Sequence, residues 1–83
     1  MSETVQVKLF GAYREAVGSE ALERELPTEG SVAALWRSLC AEWPGLVAQE
    51  SVRLSAVNLD YVDDDHVLSG GDEVAFFPPV SGG

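Results

Sequence analysis

Residues 31–45 constrain the fold more than any other stretch of this chain. Val32, Leu35, Trp36, Leu39, Cys40 and Trp43 recur at the i, i+3, i+4, i+7, i+8, i+11 spacing of an amphipathic helix. Ser31 stands where an N-cap belongs, and Pro44-Gly45 stops the run. A single helix with one apolar stripe has one sheet face to cover, which sets up a two-layer α+β domain. The chain has 83 residues, of which 46% are hydrophobic, enough for one small core. A domain this size buries only about 60–65% of its unfolded surface.

The strands are read from alternation. From Thr4 to Phe10, Val5, Val7 and Leu9 fall on one face, with Gln6, Lys8 and Phe10 on the other. Gly11 ends that strand, Ala12 to Val17 is a short connection with helical potential, and Gly18-Ser19 turns the chain. Leu22, Arg24 and Leu26 alternate with Glu23 and Glu25 in a second strand, antiparallel to the first and stopped by Pro27. Beyond the helix, Leu46 to Glu50 has room for one more turn. Arg53 to Leu59 reads as a third strand with Leu54, Ala56 and Val57 as core candidates, and Asn58-Leu59-Asp60 as a turn. Tyr61-Val62 is a very short fourth strand, Asp63 to His66 a loop, Leu68 a core contact and Ser69-Gly70-Gly71-Asp72 a turn. Glu73 to Phe77 is the last strand, with Val74 and Phe76 facing one way and Ala75 and Phe77 the other. This order gives a mixed sheet of four to five strands, covered on one face by one main helix, with the terminal strands adjacent at its centre. That is the β-grasp, or ubiquitin-like, arrangement, over residues 1–77.

Function classes are narrowed by charge. Fourteen acidic residues against five basic ones leave a net charge of −9, which argues against nucleic acid and anionic membrane surfaces and favours a basic protein partner. The opening Met-Ser-Glu-Thr has no basic stretch leading into an apolar run, and the chain reads as cytoplasmic. Cys40 is the only cysteine, so no internal disulfide is expected; on the apolar stripe it reads as a buried, inert thiol. His66 beside Asp63, Asp64 and Asp65 fits no calcium-loop spacing and reads as a solvated acidic loop, with no metal site expected. No phosphate-binding loop, dinucleotide fingerprint or nucleophile elbow is present, so the chain is not expected to be an enzyme by itself. Trp36 and Trp43 are core candidates. Phe10 and Phe77 fall on the sheet face opposite the helix, where they form a partner surface unless loops shield them.

The chain closes on Phe76-Phe77-Pro78-Pro79-Val80-Ser81-Gly82-Gly83. Pro78-Pro79 removes two backbone donors and halts the ladder. The terminal glycines carry no Cβ, so such an end can enter a slot too narrow for a side chain. Residues 78–83 could reach roughly 20 Å if extended, and are set apart as a flexible tail. The run Gly71-Asp72-Glu73-Val74-Ala75-Phe76-Phe77-Pro78-Pro79-Val80-Ser81-Gly82-Gly83 closely resembles the C-terminus of the molybdopterin synthase small-subunit (MoaD) family of ubiquitin-like sulfur carriers. The likeness continues through Val7-Lys8-Leu9-Phe10, Arg14-Glu15, Ala56-Val57-Asn58 and Leu68.

The resemblance implies that the Gly83 carboxylate is adenylated by a ubiquitin-activating-type enzyme using ATP and then converted to a thiocarboxylate. The tail would enter the large catalytic subunit, where the Gly83 sulfur passes to a cyclic pyranopterin precursor of the molybdenum cofactor. It implies a heterotetramer of two carriers on a dimer of large subunits. It implies no bound cofactor, with AMP and the thiocarboxylate as transient covalent states of Gly83. By carry-over, Gly83 bears the sulfur, Gly82 permits the fit, and Phe77, Pro78, Pro79, Val80 and Ser81 dock and aim the tail, with 78–82 inserting. Phe10 joins Phe77 as partner surface by its place on the open sheet face. Three rivals remain open. The chain could carry sulfur for thiazole, tRNA thiolation or cysteine synthesis, although Pro-Pro-Val-Ser before Gly-Gly favours the pterin pathway. It could be a ubiquitin-like protein modifier, or a non-covalent acidic adaptor.

Overall fold

The computed structural model describes residues 3–28, 30–49 and 53–78. The elements are β1 (Thr4–Leu9), α1 (Gly11–Val17), β2 (Ala21–Glu25), α2 (Val32–Glu42), a 3-10 turn (Pro44–Gln49), β3 (Leu54–Val57), β4 (Asp60–Val62) and β5 (Glu73–Phe77). The strands form one five-stranded sheet in the order β2-β1-β5-β3-β4. β1 and β5 are parallel, and the remaining pairs are antiparallel. This is the mixed β-grasp sheet that the alternation implies, and the terminal strands do lie side by side.

α2 forms where its apolar period demands. The Ser31 hydroxyl accepts a hydrogen bond from the Ala34 amide at 3.1 Å, supplying one partner that the first turn lacks. The acidic loop supplies two more: Val32 N–H donates to the His66 carbonyl at 3.0 Å and Ala33 N–H to the Asp64 carbonyl at 2.9 Å. The segment 63–66 is therefore a cap on the helix as well as a solvated loop. Val32, Leu35, Trp36 and Leu39 are buried against Val5, Val7 and Leu9 of β1 and Val74 and Phe76 of β5. Tyr13, Trp36 and Phe76 pack in series as tilted pairs, with ring centroids 4.9 and 5.0 Å apart and planes at 55° and 56°. The Arg53 guanidinium lies 4.7 Å from the Trp36 ring centre and pairs with Asp64. Its side chain is nearly buried, so the aromatic face and the carboxylate together take the place of water.

Several expectations need correction. Leu54 is not core but 45% exposed, because its pairing with Phe77 puts it on the uncovered sheet face. Ser55 and Val57 are the β3 residues that face the helix, opposite Phe76 and Val74; Ala56 is buried on the other side, level with Ala75. Trp43 and Cys40 are only partly buried, packed at the edge of the core, since the stripe rolls away from the sheet as the helix ends. β1 stops at Leu9, one residue short, and Phe10 precedes α1. The further turn after Pro44 exists, with Leu46 fully buried; Glu50, its proposed last residue, lies outside the described residues.

The Asn58 side chain joins the β3–β4 turn to the head of β5. Its Nδ2 donates to Asp72 Oδ1 at 3.0 Å, and its Oδ1 accepts from the Glu73 amide at 3.0 Å. Asp72 Oδ2 accepts from the Ser69 amide at 2.8 Å. The Ser69 amide first, and the Asn58 amide second, hold the Asp72 carboxyl below its ordinary value of 3.8. A carboxylate depressed in the folded state adds stability above the unfolded pKa, and that stability is lost as pH falls through the folded value. Asp72→Asn should therefore lower the urea midpoint at neutral pH. The gap from wild type should narrow as pH falls below 3.8; a gap that stays constant down to about pH 2 would contradict this assignment.

Candidate functional site

Because β5 is central in the sheet and the last strand described, the chain leaves from a strand paired on both sides. Four described residues surround that exit: Phe10, Gly11, Phe77 and Pro78. Phe10 and Phe77 stack at 4.6 Å between centroids with 12° between planes. Phe10 stays 43% exposed, so the pair is shielded by itself rather than by a loop. Pro78 is half-buried against Gly11. The remaining predicted tail residues, Pro79, Val80, Ser81, Gly82 and Gly83, lie outside the described residues.

The sheet face around Phe77 is open. Tyr61 approaches it at 6.3 Å and 56°, and Leu59 stands beside them with 89% of its surface exposed. Between Phe10 and Phe77 on one side and Leu59 and Tyr61 on the other runs a groove of about 310 Å³, floored by Ala56 and Ala75. Its apolar residues are continuous across β5, β3 and β4, because Ala75 pairs with Ala56 and Ala56 with Tyr61. Lys8 and Glu73 mark the polar margin, 3.8 Å apart. Sequence reasoning found Phe10 and Phe77 here but missed Leu59 and Tyr61. It placed Leu59 in a turn and treated Tyr61 as one end of a marginal strand; the pairing of β4 with β3 is what brings both onto the Phe77 face.

Chemistry of other kinds is thin. Among the described residues, no group of three His, Cys, Asp or Glu side chains is placed to hold a metal ion. No described helix is long and apolar enough to cross a membrane. Arg24 pairs with Glu42 at 2.5 Å and Arg53 with Asp64, so two of the cations are committed to structure.

The comparisons with known proteins bear on the same residues. The ThiS family model matches residues 7–83. The chain belongs to the ThiS family. A "Molybdopterin synthase sulfur carrier subunit" from Escherichia coli (strain K12) is 43% identical to this ThiS-family chain over 84 residues, covering 95% of it and 99% of that protein. The resemblance to the MoaD family, stated from the tail string, thus extends along the chain. The solution structure of small archaeal modifier protein 1 from Methanosarcina acetivorans matches with a TM-score of 0.81 at 25% identity, covering 100% of this chain and 99% of the other. A complex of subunits 1 and 2 of molybdopterin-converting factor from Helicobacter pylori 26695 contains a chain that matches with a TM-score of 0.67 at 27% identity, covering 96% and 99%.

Leu59 stands out energetically. Asn58 and Leu59 have φ of 50° and 76°, the two positive values of a mirror-image hairpin turn, whose second place favours glycine. A leucine there is strained and gains no burial. Leu59→Gly is expected to raise stability by roughly 0.5–1 kcal/mol, the relief of strain exceeding the added chain entropy. Urea unfolding checks it; a lower midpoint would show that Leu59 contributes packing to the isolated chain.

Proposed function

We propose that this chain carries sulfur on its C-terminal glycine as the small subunit of a molybdopterin synthase. The observation that carries the reading is the string of residues 71–83 at the end of the central strand, in a chain 43% identical to a subunit bearing that name. In this reading the Gly83 carboxylate attacks the α-phosphate of ATP on a ubiquitin-activating-type enzyme, expelling pyrophosphate. The acyl-adenylate makes AMP the leaving group for a sulfur nucleophile, and a thiocarboxylate remains. Glycine suits this step, because no side chain hinders the acyl carbon. The thiocarboxylate then donates sulfur to the pyranopterin precursor within the large subunit, in the cytoplasm, with catalytic groups supplied mainly by that partner. Two carriers on a dimer of large subunits form the working heterotetramer.

The open groove fits this assignment. A carrier must dock through its body before the tail can be threaded, and Phe77, Phe10, Tyr61 and Leu59 offer an apolar patch at the tail's base. The net charge of −9 complements a basic partner and speeds encounter. The H. pylori complex pairs a similar chain with a second subunit. The likeness to an archaeal modifier protein supports a second reading, in which Gly83 is joined to lysines of target proteins. Both readings begin with activation of the same carboxylate, so the product separates them.

Gly83→Ala tests the narrow-slot argument. The variant should fold with an unchanged midpoint yet lose sulfur delivery by about a hundredfold or more, since misplacement near 1 Å at a reacting atom can cost that much. Sulfur release to the precursor, measured with purified large subunit, is the readout. Wild-type delivery by Gly83→Ala would refute the slot.

A further inference from the structure

The corner at Phe10 and Gly11 lies where the chain leaves the sheet on two neighbouring strands. β1 and β5 are paired in parallel as far as Leu9 and Phe76. The same register carried forward sets Phe10 beside Phe77 and Gly11 beside Pro78, and both contacts exist. The two phenyl rings stack at 4.6 Å. At Gly11, an alanine Cβ would come within 3.0 Å of Pro78 Cγ and 3.7 Å of Cδ, against about 3.5–4.0 Å for comfortable carbon contacts. The Pro78 ring fills the space a side chain would need. Gly11 also has a φ of +57°, a value that favours glycine for a separate, backbone reason.

Backbone pairing holds the chain less firmly past Phe77, because Pro78 has no N–H to donate. Side-chain packing adds to it: the stacked rings just before the exit and the proline ring seated on bare backbone just after it. We infer that Phe10 and Gly11 form a clamp on Phe77 and Pro78 that sets the direction in which residues 79–83 depart. Gly11 is then a positioning residue for presentation of Gly83, an assignment that rests on the sulfur-carrier reading above. Five residues beyond Pro78 could reach about 17 Å if extended, so a turn of about 10° at Pro78 would move their end by roughly 3 Å. An arm already aimed loses less orientational freedom when it docks.

The test compares Gly11→Ala, Gly18→Ala, Pro78→Ala and the Gly11→Ala/Pro78→Ala double variant, each as full-length thiocarboxylated chain delivering sulfur to the large subunit. Gly18 has a φ of +84°, and a Cβ added there would meet nothing within 4 Å, so Gly18→Ala reproduces the backbone strain without the contact. Gly11→Ala should raise KM for the carrier about tenfold with kcat within roughly twofold, the signature of lost pre-organised binding. Gly18→Ala should leave KM at the wild-type value. In the Pro78→Ala background, which removes Cγ and Cδ, adding Gly11→Ala should change KM by less than about twofold, a non-additivity expected only of residues in contact. Equal KM shifts for the Gly11 and Gly18 variants would overturn the clamp, as would a full tenfold penalty that persists without the proline ring. The contact has its own partner-free readout: the Pro78 ring resonances should move in Gly11→Ala and stay in place in Gly18→Ala. If wild type delivers sulfur and Gly11→Ala does so equally well, the clamp alone fails. If wild type accepts no sulfur, the carrier reading and the delivery role fail together.

Discussion

The parallel pairing of β1 with β5 is the interaction on which the rest of this structure depends. It joins the first strand of the chain to the last, placing Val7 beside Val74 and Leu9 beside Phe76 directly under the only long helix described. Those four side chains, with Leu35, Trp36 and Leu39 above them, are essentially withdrawn from water. Each contributes on the order of 1.5–3 kcal/mol on burial. Parallel strands cannot be joined by a tight turn, so everything between Leu9 and Glu73 is one long excursion that must return to the same place. β2 and β3 then add to the two outer edges of that pair, and β4 to β3.

The same pairing explains how the body can hold the base of the tail steady for the proposed chemistry. A strand held on both sides is the least able to fray, and here it is also the strand from which the chain departs. The strand ends at Phe77, since Pro78 has no N–H to donate, and that end is braced by the Phe10–Phe77 stack on the face that α2 leaves uncovered. That face concentrates what the isolated domain has least reason to keep: an exposed Tyr61 and a strained, solvent-facing Leu59. Natural chains tolerate such costs where a partner recovers them. Body and tail thus divide the proposed work, the groove holding the partner while the glycine end reaches its reacting centre.

Much of this was legible from sequence because the relevant signals are periodic. The spacing of Val32, Leu35, Trp36 and Leu39 located the helix and its buried face, and Ser31 its start. Alternation assigned both faces of β1 and β5, and hence the shared side of Phe10 and Phe77. Reading failed where periodicity was absent or tertiary pairing decided. Leu54 is as apolar as any core residue, yet its register opposite Phe77 exposes it. Tyr13 drew no attention in a short connection, although it is wholly buried against Trp36; its spacing with Ala16 and Val17 was the available clue. Leu59 and Tyr61 join the Phe77 face through a turn whose place Asn58-Leu59-Asp60 did signal, but whose two-residue, positive-φ form leucine does not predict. The close approach of Gly11 to Pro78 depends on a register between chain segments more than sixty residues apart, which no local pattern encodes.

On the proposed function, this domain exists to present an activated Gly83. Intact mass spectrometry after incubation with ATP, the host's adenylating enzyme and a sulfide source addresses it most directly. A mass gain equal to the exchange of one oxygen for sulfur is expected, with fragmentation placing it on Gly83. An unchanged mass, with an enzyme shown to be active on another carrier, would contradict it and leave the domain a non-covalent adaptor.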